Sequence, residues 1–252
     1  MKCSCFILGM LICTQSFAME TYELRNYQLT SAESAEQFDV WMETSGLTVL
    51  KDAGAAQVGV FKPKPEEEEN DYSRFVLMRF DDLSDLQANR RAPVLASHSN
   101  EQAEAFLSGS KEDPAYARVD SSLLTAFPGF KHLVDPEGSG SDERFFELRI
   151  YESSSERLAA LKVDMFCGGG EIEIFHEVGL TPVFFGSARI AGNFPQLTYM
   201  LVHENQEAAD VAWQAFRKSE KWNVLRNLPK YEGTVSHILK YFIVALPYSE
   251  IR

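Results

Sequence analysis

The chain has 252 residues, enough for two domains of ordinary size. Hydrophobic content of 45% and aromatic content of 12% can fill two packed cores, which argues against wholesale disorder. A formal net charge of −13 argues against a nucleic-acid partner, whose phosphates need a basic surface, and against anionic membranes.

Residues 1–18 read as a secretory signal peptide. Lys2 supplies the positive start, Phe6-Ile-Leu-Gly-Met-Leu-Ile12 a short apolar run, and Ser16-Phe17-Ala18 the small residues of a cleavage site. The run is too short for a transmembrane segment. Cleavage near Ala18 implies export to a periplasmic or extracellular setting and removes Cys3, Cys5 and Cys13. Ile12 is bulkier than a lipidation site at Cys13 prefers. Cys167 then stands alone, without an internal disulfide, and reads as a packed side chain rather than a nucleophile.

After the leader, Thr21–Gln28 reads as a strand. Thr30-x-x-Glu33 and Ser34-x-x-Gln37 are capping patterns, and Phe38, Trp41 and Met42 mark one helix face. Gln57–Phe61 is a second strand. Lys62-Pro-Lys-Pro-Glu-Glu-Glu-Glu69 is a loop, because prolines and like charges resist regular structure. Arg74–Phe80 is a strand, Leu83–Leu107 a long helical stretch, and Ser121–Phe127 a fourth strand. Asp135-Pro-Glu-Gly-Ser-Gly-Ser-Asp142 lies in a linker spanning 135–143. The order then repeats: strand Arg144–Glu152, helix Arg157–Val178 interrupted at Gly168–Gly170, strands Val183–Ile190 and Leu197–His203, helix Gln206–Asn227, strand Ser236–Ala245.

The repeat is also literal. Tyr22-Glu-Leu-Arg-Asn-Tyr27 returns as Phe146-Glu-Leu-Arg-Ile-Tyr151, and Phe75-Val-Leu-Met-Arg-Phe80 aligns at the same offset of 124 with Tyr199-Met-Leu-Val-His-Glu204. The expected fold class is α+β. Two tandem duplicated ferredoxin-like βαββαβ domains, residues 19–134 and 144–252, would pack sheet to sheet as an intramolecular dimeric α+β barrel.

Strand alternation places Glu23, Arg25 and Tyr27 on one face, and Glu147, Arg149 and Tyr151 on the matching face. With the apolar alternates given to the helix layer, these rows are expected in the space between the halves. They would form a paired network fixing register, or a polar pocket for a small anionic or carbonyl-bearing ligand. His176 joins them as a ligand-pocket candidate. Glu173-x-x-His176 is one half of a carboxylate-bridged metal pattern, and the other histidines lack ligand spacing, so no metal is expected. The Gly168–Gly170 run lacks the phosphate-loop lysine, no nucleophile elbow occurs, and no cofactor is expected. Trp213, Phe216 and Trp222 read as a core stripe.

Several segments together resemble the NIPSNAP family: Phe146-Glu-Leu-Arg-Ile-Tyr151, Leu197-Thr-Tyr-Met-Leu201, Ala212-Trp-Gln-Ala-Phe216 and Glu220-Lys-Trp222. Residues 169–175 and 179–186 are similar to a two-domain, exported bacterial branch of it. The first half departs, with Arg90-Arg-Ala-Pro-Val94 in place of the Trp–Phe–Trp signature. The resemblance implies a dimeric α+β barrel and no catalytic residue set. Its wider superfamily includes cofactor-independent monooxygenases, haem-degrading enzymes and isomerases. Two functions are therefore expected to compete. One is a non-catalytic module binding a small molecule or a protein. The alternative is a small-molecule enzyme of the monooxygenase or isomerase type using the barrel interior. A homodimer through a remaining sheet edge is also open.

Overall fold

The computed structural model describes residues 19–65, 71–88, 106–136 and 142–252. The signal peptide, the end of the acidic loop, most of the helix expected to reach Leu107 and the centre of the linker lie outside these residues. No described helix is long and apolar enough to cross a membrane.

The strands are β1 (Thr21–Gln28), β2 (Gln57–Pro63), β3 (Arg74–Phe80), β4 (Arg118–Ala126), β5 (Phe145–Glu152), β6 (Thr181–Ile190), β7 (Gln196–His203) and β8 (His237–Ala245). All pair antiparallel in one closed ring, β1-β3-β2-β8-β5-β7-β6-β4. Each half contributes the same local order, β4-β1-β3-β2 and β8-β5-β7-β6, and the seams are β2–β8 and β4–β6. Every strand has two neighbours, so the ring leaves no free edge among the described strands for the edge-pairing that the sequence left open, and a second copy would have to meet another surface. At the β4–β6 seam Gly186 is needed for close approach, since a Cβ there would sit 2.8 Å from Leu124 Cβ.

The helices lie outside the ring. Helix α1 (Ala32–Trp41) is capped one residue after Thr30, the start of the first capping pattern read in the sequence, and three before Ser34, the start of the second. Ser31 is the N-cap: its hydroxyl accepts from Ser34 N–H at 3.1 Å, and Ser34 Oγ accepts from Ser31 N–H at 3.0 Å. A π-helical turn, Met42–Gly46, carries the chain into α2 (Leu47–Asp52). After β3 comes α3 (Leu83–Ala88). The second half has α4 (Glu156–Cys167) capped by Ser155, then α5 (Glu171–Glu177), with Gly170 at φ 90° between them. Helices α6 (Gln206–Lys218) and α7 (Glu220–Arg226) follow, broken at Ser219, which caps the second.

Three apolar clusters result. Tyr22, Leu24, Phe61, Phe75, Leu77, Phe146, Leu148, Phe184, Met200 and Ile243 fill the barrel from both halves. A second cluster lies under α1–α3, and a third under α4–α7. This reverses the expected faces. Phe146 and Leu148 point into the barrel, and both Glu-Arg-Tyr rows point outward, beneath the helices. The alternation itself holds. Its assignment failed because both sheet faces are covered, and the barrel, filled by apolar side chains from both halves, would desolvate a charge more fully than the helix-covered face. Helices roof a sheet less completely and bring their own polar groups, so the outer face holds the charged row.

Candidate functional site

In the second half the row is roofed. Glu147, 1% exposed, takes Arg149 Nε at 2.8 Å and Nη2 at 2.6 Å on Oε1. Its Oε2 accepts from Trp213 Nε1 at 2.7 Å and lies 3.1 Å from His203 Nε2. Arg149 Nη1 donates to the Tyr151 hydroxyl at 3.2 Å, which is 2.9 Å from the Tyr199 hydroxyl. The Trp213 ring lies 4.0 Å from Arg149 Cζ, a cation–π stack. Burial opposes the Glu147 charge, but His203, Arg149 and Trp213 outweigh it and hold the carboxyl below its usual range. Burial lifts the Tyr199 phenol well above its ordinary value. Beside this row a buried ion pair joins Lys162 of α4 to Glu171 of α5 at 2.7 Å.

The first half repeats the row and changes its surroundings. Arg25 Nε donates to Glu23 Oε1 at 2.8 Å, Arg25 Nη1 to the Tyr27 hydroxyl at 3.4 Å, and Ser121 Oγ to Glu23 Oε1 at 2.8 Å. The sheet registers identify the exchanges. Opposite Arg149 stand Tyr199 and Lys240, whereas opposite Arg25 stand Val76 and Ser121. Both replacements are smaller. A cavity of about 580 Å³ opens there, lined by Glu23, Arg25, Tyr27 and Ser121 on the sheet side. Trp41, Phe106 and Tyr116 form its aromatic wall, with Trp41 and Phe106 stacked at 4.9 Å. Trp41 is 4% exposed and its Nε1 finds no hydrogen-bond acceptor among the described residues.

The structure thus brings together Glu23, Arg25 and Tyr27 at one site and Glu147, Arg149 and Tyr151 at another, on outer faces rather than in a shared interior. His176 joins neither: it is exposed on α5. Among the described residues, the histidine that reaches a row is His203. Its signal was strand parity, since it shares the outward face of β7 with Tyr199. Trp213, read as core, packs against the third cluster while its indole N–H serves Glu147. Among the described residues no three His, Cys, Asp or Glu side chains gather as a metal site.

No known family matches the chain, and no curated protein matches it. Solved structures do. A monooxygenase-like protein of Lactobacillus acidophilus NCFM superposes with TM-score 0.56 at 10% identity, over 90% of this chain and 94% of that one. An anthrone oxidase-like protein gives TM-score 0.55 at 9% identity, over 90% of this chain and 92% of its own. A NIPSNAP-like domain protein from Burkholderia xenovorans gives 0.39 at 15% identity, over 43% of this chain and 90% of its own. The first two share the fold, an α+β protein built on a closed antiparallel barrel.

Proposed function

We propose that the protein acts on a small organic molecule held in the first-half cavity, and that the second half is its closed, structural counterpart. One observation carries this reading: the same Glu-Arg-Tyr row is roofed by Trp213 in one half and faces 580 Å³ of space in the other. The reaction class is cofactor-independent oxidation of an acidic C–H. Glu23 takes one proton from a substrate methylene, Arg25 holds the resulting enolate oxygen, dioxygen adds to that carbon as a hydroperoxide, and loss of the second C–H hydrogen as the O–O bond breaks balances the step. One oxygen atom ends as the new carbonyl and the other as water. The two monooxygenase-like folds, matched along nearly the whole chain, support this class by analogy of fold.

A second reading, binding without turnover, is favoured by Glu23. Its carboxylate is engaged by Arg25 and Ser121, which weakens it as a base. In either reading the halves are tandem ferredoxin-like copies, residues 19–134 and 144–252, of a NIPSNAP-type chain exported by its leader. Equal strand order and the repeated row support the duplication.

The test supplies anthrone and follows oxygen uptake with anthraquinone absorbance. Uptake above the spontaneous rate, one dioxygen per quinone, is expected, and Ala115→Trp, which fills the cavity, should abolish it. Binding of anthrone that Ala115→Trp removes, without turnover, selects the second reading. Neither turnover nor cavity-dependent binding would remove both.

A further inference from the structure

The second half shows what its row accepts. Trp213 lays an indole on the Arg149 guanidinium at 4.0 Å and gives its ring N–H to Glu147 at 2.7 Å. The first half keeps the receiving groups on the matching strand, at an offset of 124 residues, on the wall of the cavity. Among the described residues no ring stacks on Arg25.

We propose that the first-half cavity takes a planar heteroaromatic molecule with a ring N–H, of the indole class. It stacks on Arg25 and donates to Glu23 as Trp213 does to Arg149 and Glu147. This rests on the reading of that cavity as the working site. Three features fit. The Glu23–Arg25 pair is internally neutralised, so the site asks for polarisable surface rather than net charge. The opposite wall is aromatic, with Trp41 and Phe106 stacked and Tyr116 meeting Tyr27 of the sheet side edge-on at 5.8 Å. The space, about 580 Å³, exceeds a bare indole and leaves room for a substituent. A carbonyl or carboxylate oxygen on it would supply the acceptor that Trp41 Nε1 lacks among the described residues.

The experiment is a ¹⁹F NMR titration of the full chain with 5-fluoroindole and with 1-methyl-5-fluoroindole. Broadening and a shift of the fluoroindole signal are expected for the wild type. Arg25→Ala should weaken binding roughly tenfold through the lost stack. The N-methyl probe should bind roughly tenfold more weakly than its parent. Trp213→Ala should gain a second indole site, and indole should restore part of its lost melting temperature. The Arg25→Ala and N-methyl comparisons stand even if that variant fails to fold.

Equal binding of the two probes, or indifference to Arg25→Ala, overturns the ligand class. If anthrone still binds or turns over in a manner that Ala115→Trp abolishes, the ligand class falls and the proposed function stands. If Ala115→Trp changes the binding of no probe, the cavity is not the site and both fall.

Discussion

The buried pair Lys162–Glu171 offers the sharpest test of the second half as a structural unit. Nζ and Oε2 lie 2.7 Å apart with side chains 5% and 4% exposed. At an effective dielectric of 20 their attraction is ~6 kcal/mol. Desolvation of the two ions costs several kcal/mol each, so the pair as a whole is close to neutral for stability. Removing one partner is different. Lys162→Met leaves a buried carboxylate without its cation and should cost ~3–5 kcal/mol at neutral pH. Burial already raises the Glu171 carboxyl above its usual range, with Lys162 pulling the other way. Without the lysine it rises further and takes a proton.

That fixes the sign of the pH dependence. A carboxyl raised in the folded state contributes stability below its unfolded pKa and loses it as pH rises through the folded value. The penalty of Lys162→Met must therefore shrink as pH falls from 7 towards 5, by at most ~1.4 kcal/mol per unit. Glu171→Gln should cost less, because the Lys162 ammonium keeps the Phe166 ring at 4.4 Å and the Tyr151 and Trp222 rings at 5.7 Å. The double variant Lys162→Met/Glu171→Leu should return to within ~1 kcal/mol of the parent. Urea melts at pH 5, 6 and 7 measure all four proteins. A pH-independent penalty for Lys162→Met, or a double variant as unstable as it, would refute the reasoning.

Glu147→Gln should cost at most ~3–5 kcal/mol in the same melts, since the half-buried Arg149, its side chain 17% exposed, loses its countercharge. The parent's Glu147 contribution has the opposite pH sign: its depressed carboxyl stabilises above the usual range and loses that as pH falls through the folded value. Gly186→Val should destabilise by ~1–3 kcal/mol at the β4–β6 seam, and an unchanged melt would deny the close approach to Leu124. Burial raises the Cys167 thiol, aided by Glu173 and Asp164 against the Gly129 N–H. Ellman's reagent at pH 7 should therefore modify it more slowly than an unstructured peptide thiol, and an equal rate counts against that burial. Tyr248→Phe removes a 3.1 Å hydrogen bond to Asp39 and should cost ~1 kcal/mol. Because Asp39 lies on α1 near Trp41, it should also loosen any ligand of the cavity, read by titration.

The strands were legible because period-two patterns and turn residues bounded them: β1 and β3 fall on the expected residues. The closed barrel was legible from repeated sheets that each needed a cover. Which face of β1 and β5 meets that cover was not. Both faces are buried, so alternation separates Glu23, Arg25 and Tyr27 from Tyr22 and Leu24 without saying which set meets the helices. The partners of the rows were hidden for a related reason. Tyr199, His203 and Trp213 reach Glu147 and Arg149 through pairing and helix packing, not through neighbouring sequence. His176 was singled out by an i, i+3 spacing that α5 spends on solvent.

The exchange between the halves explains how one can be closed and the other open without the first collapsing. Phe127, at the end of β4, is buried in the cluster under α4–α7. Leu246, beyond β8, is buried in the cluster under α1–α3, and Tyr248 beside it reaches Asp39, which Arg74 holds with two bonds of 2.8 Å. Each helix layer is therefore completed by the other half's tail. Among the described residues the first half sets smaller side chains beside its row, Val76 and Ser121 in place of Tyr199 and Lys240, yet its α1 is anchored from the sheet by Arg74 and from the second half by Tyr248. Space beside Arg25 is stable under these conditions because the walls are held by contacts that the row does not supply. A half that had to close its own roof would need a residue such as Trp213 to do it, and would have no cavity left.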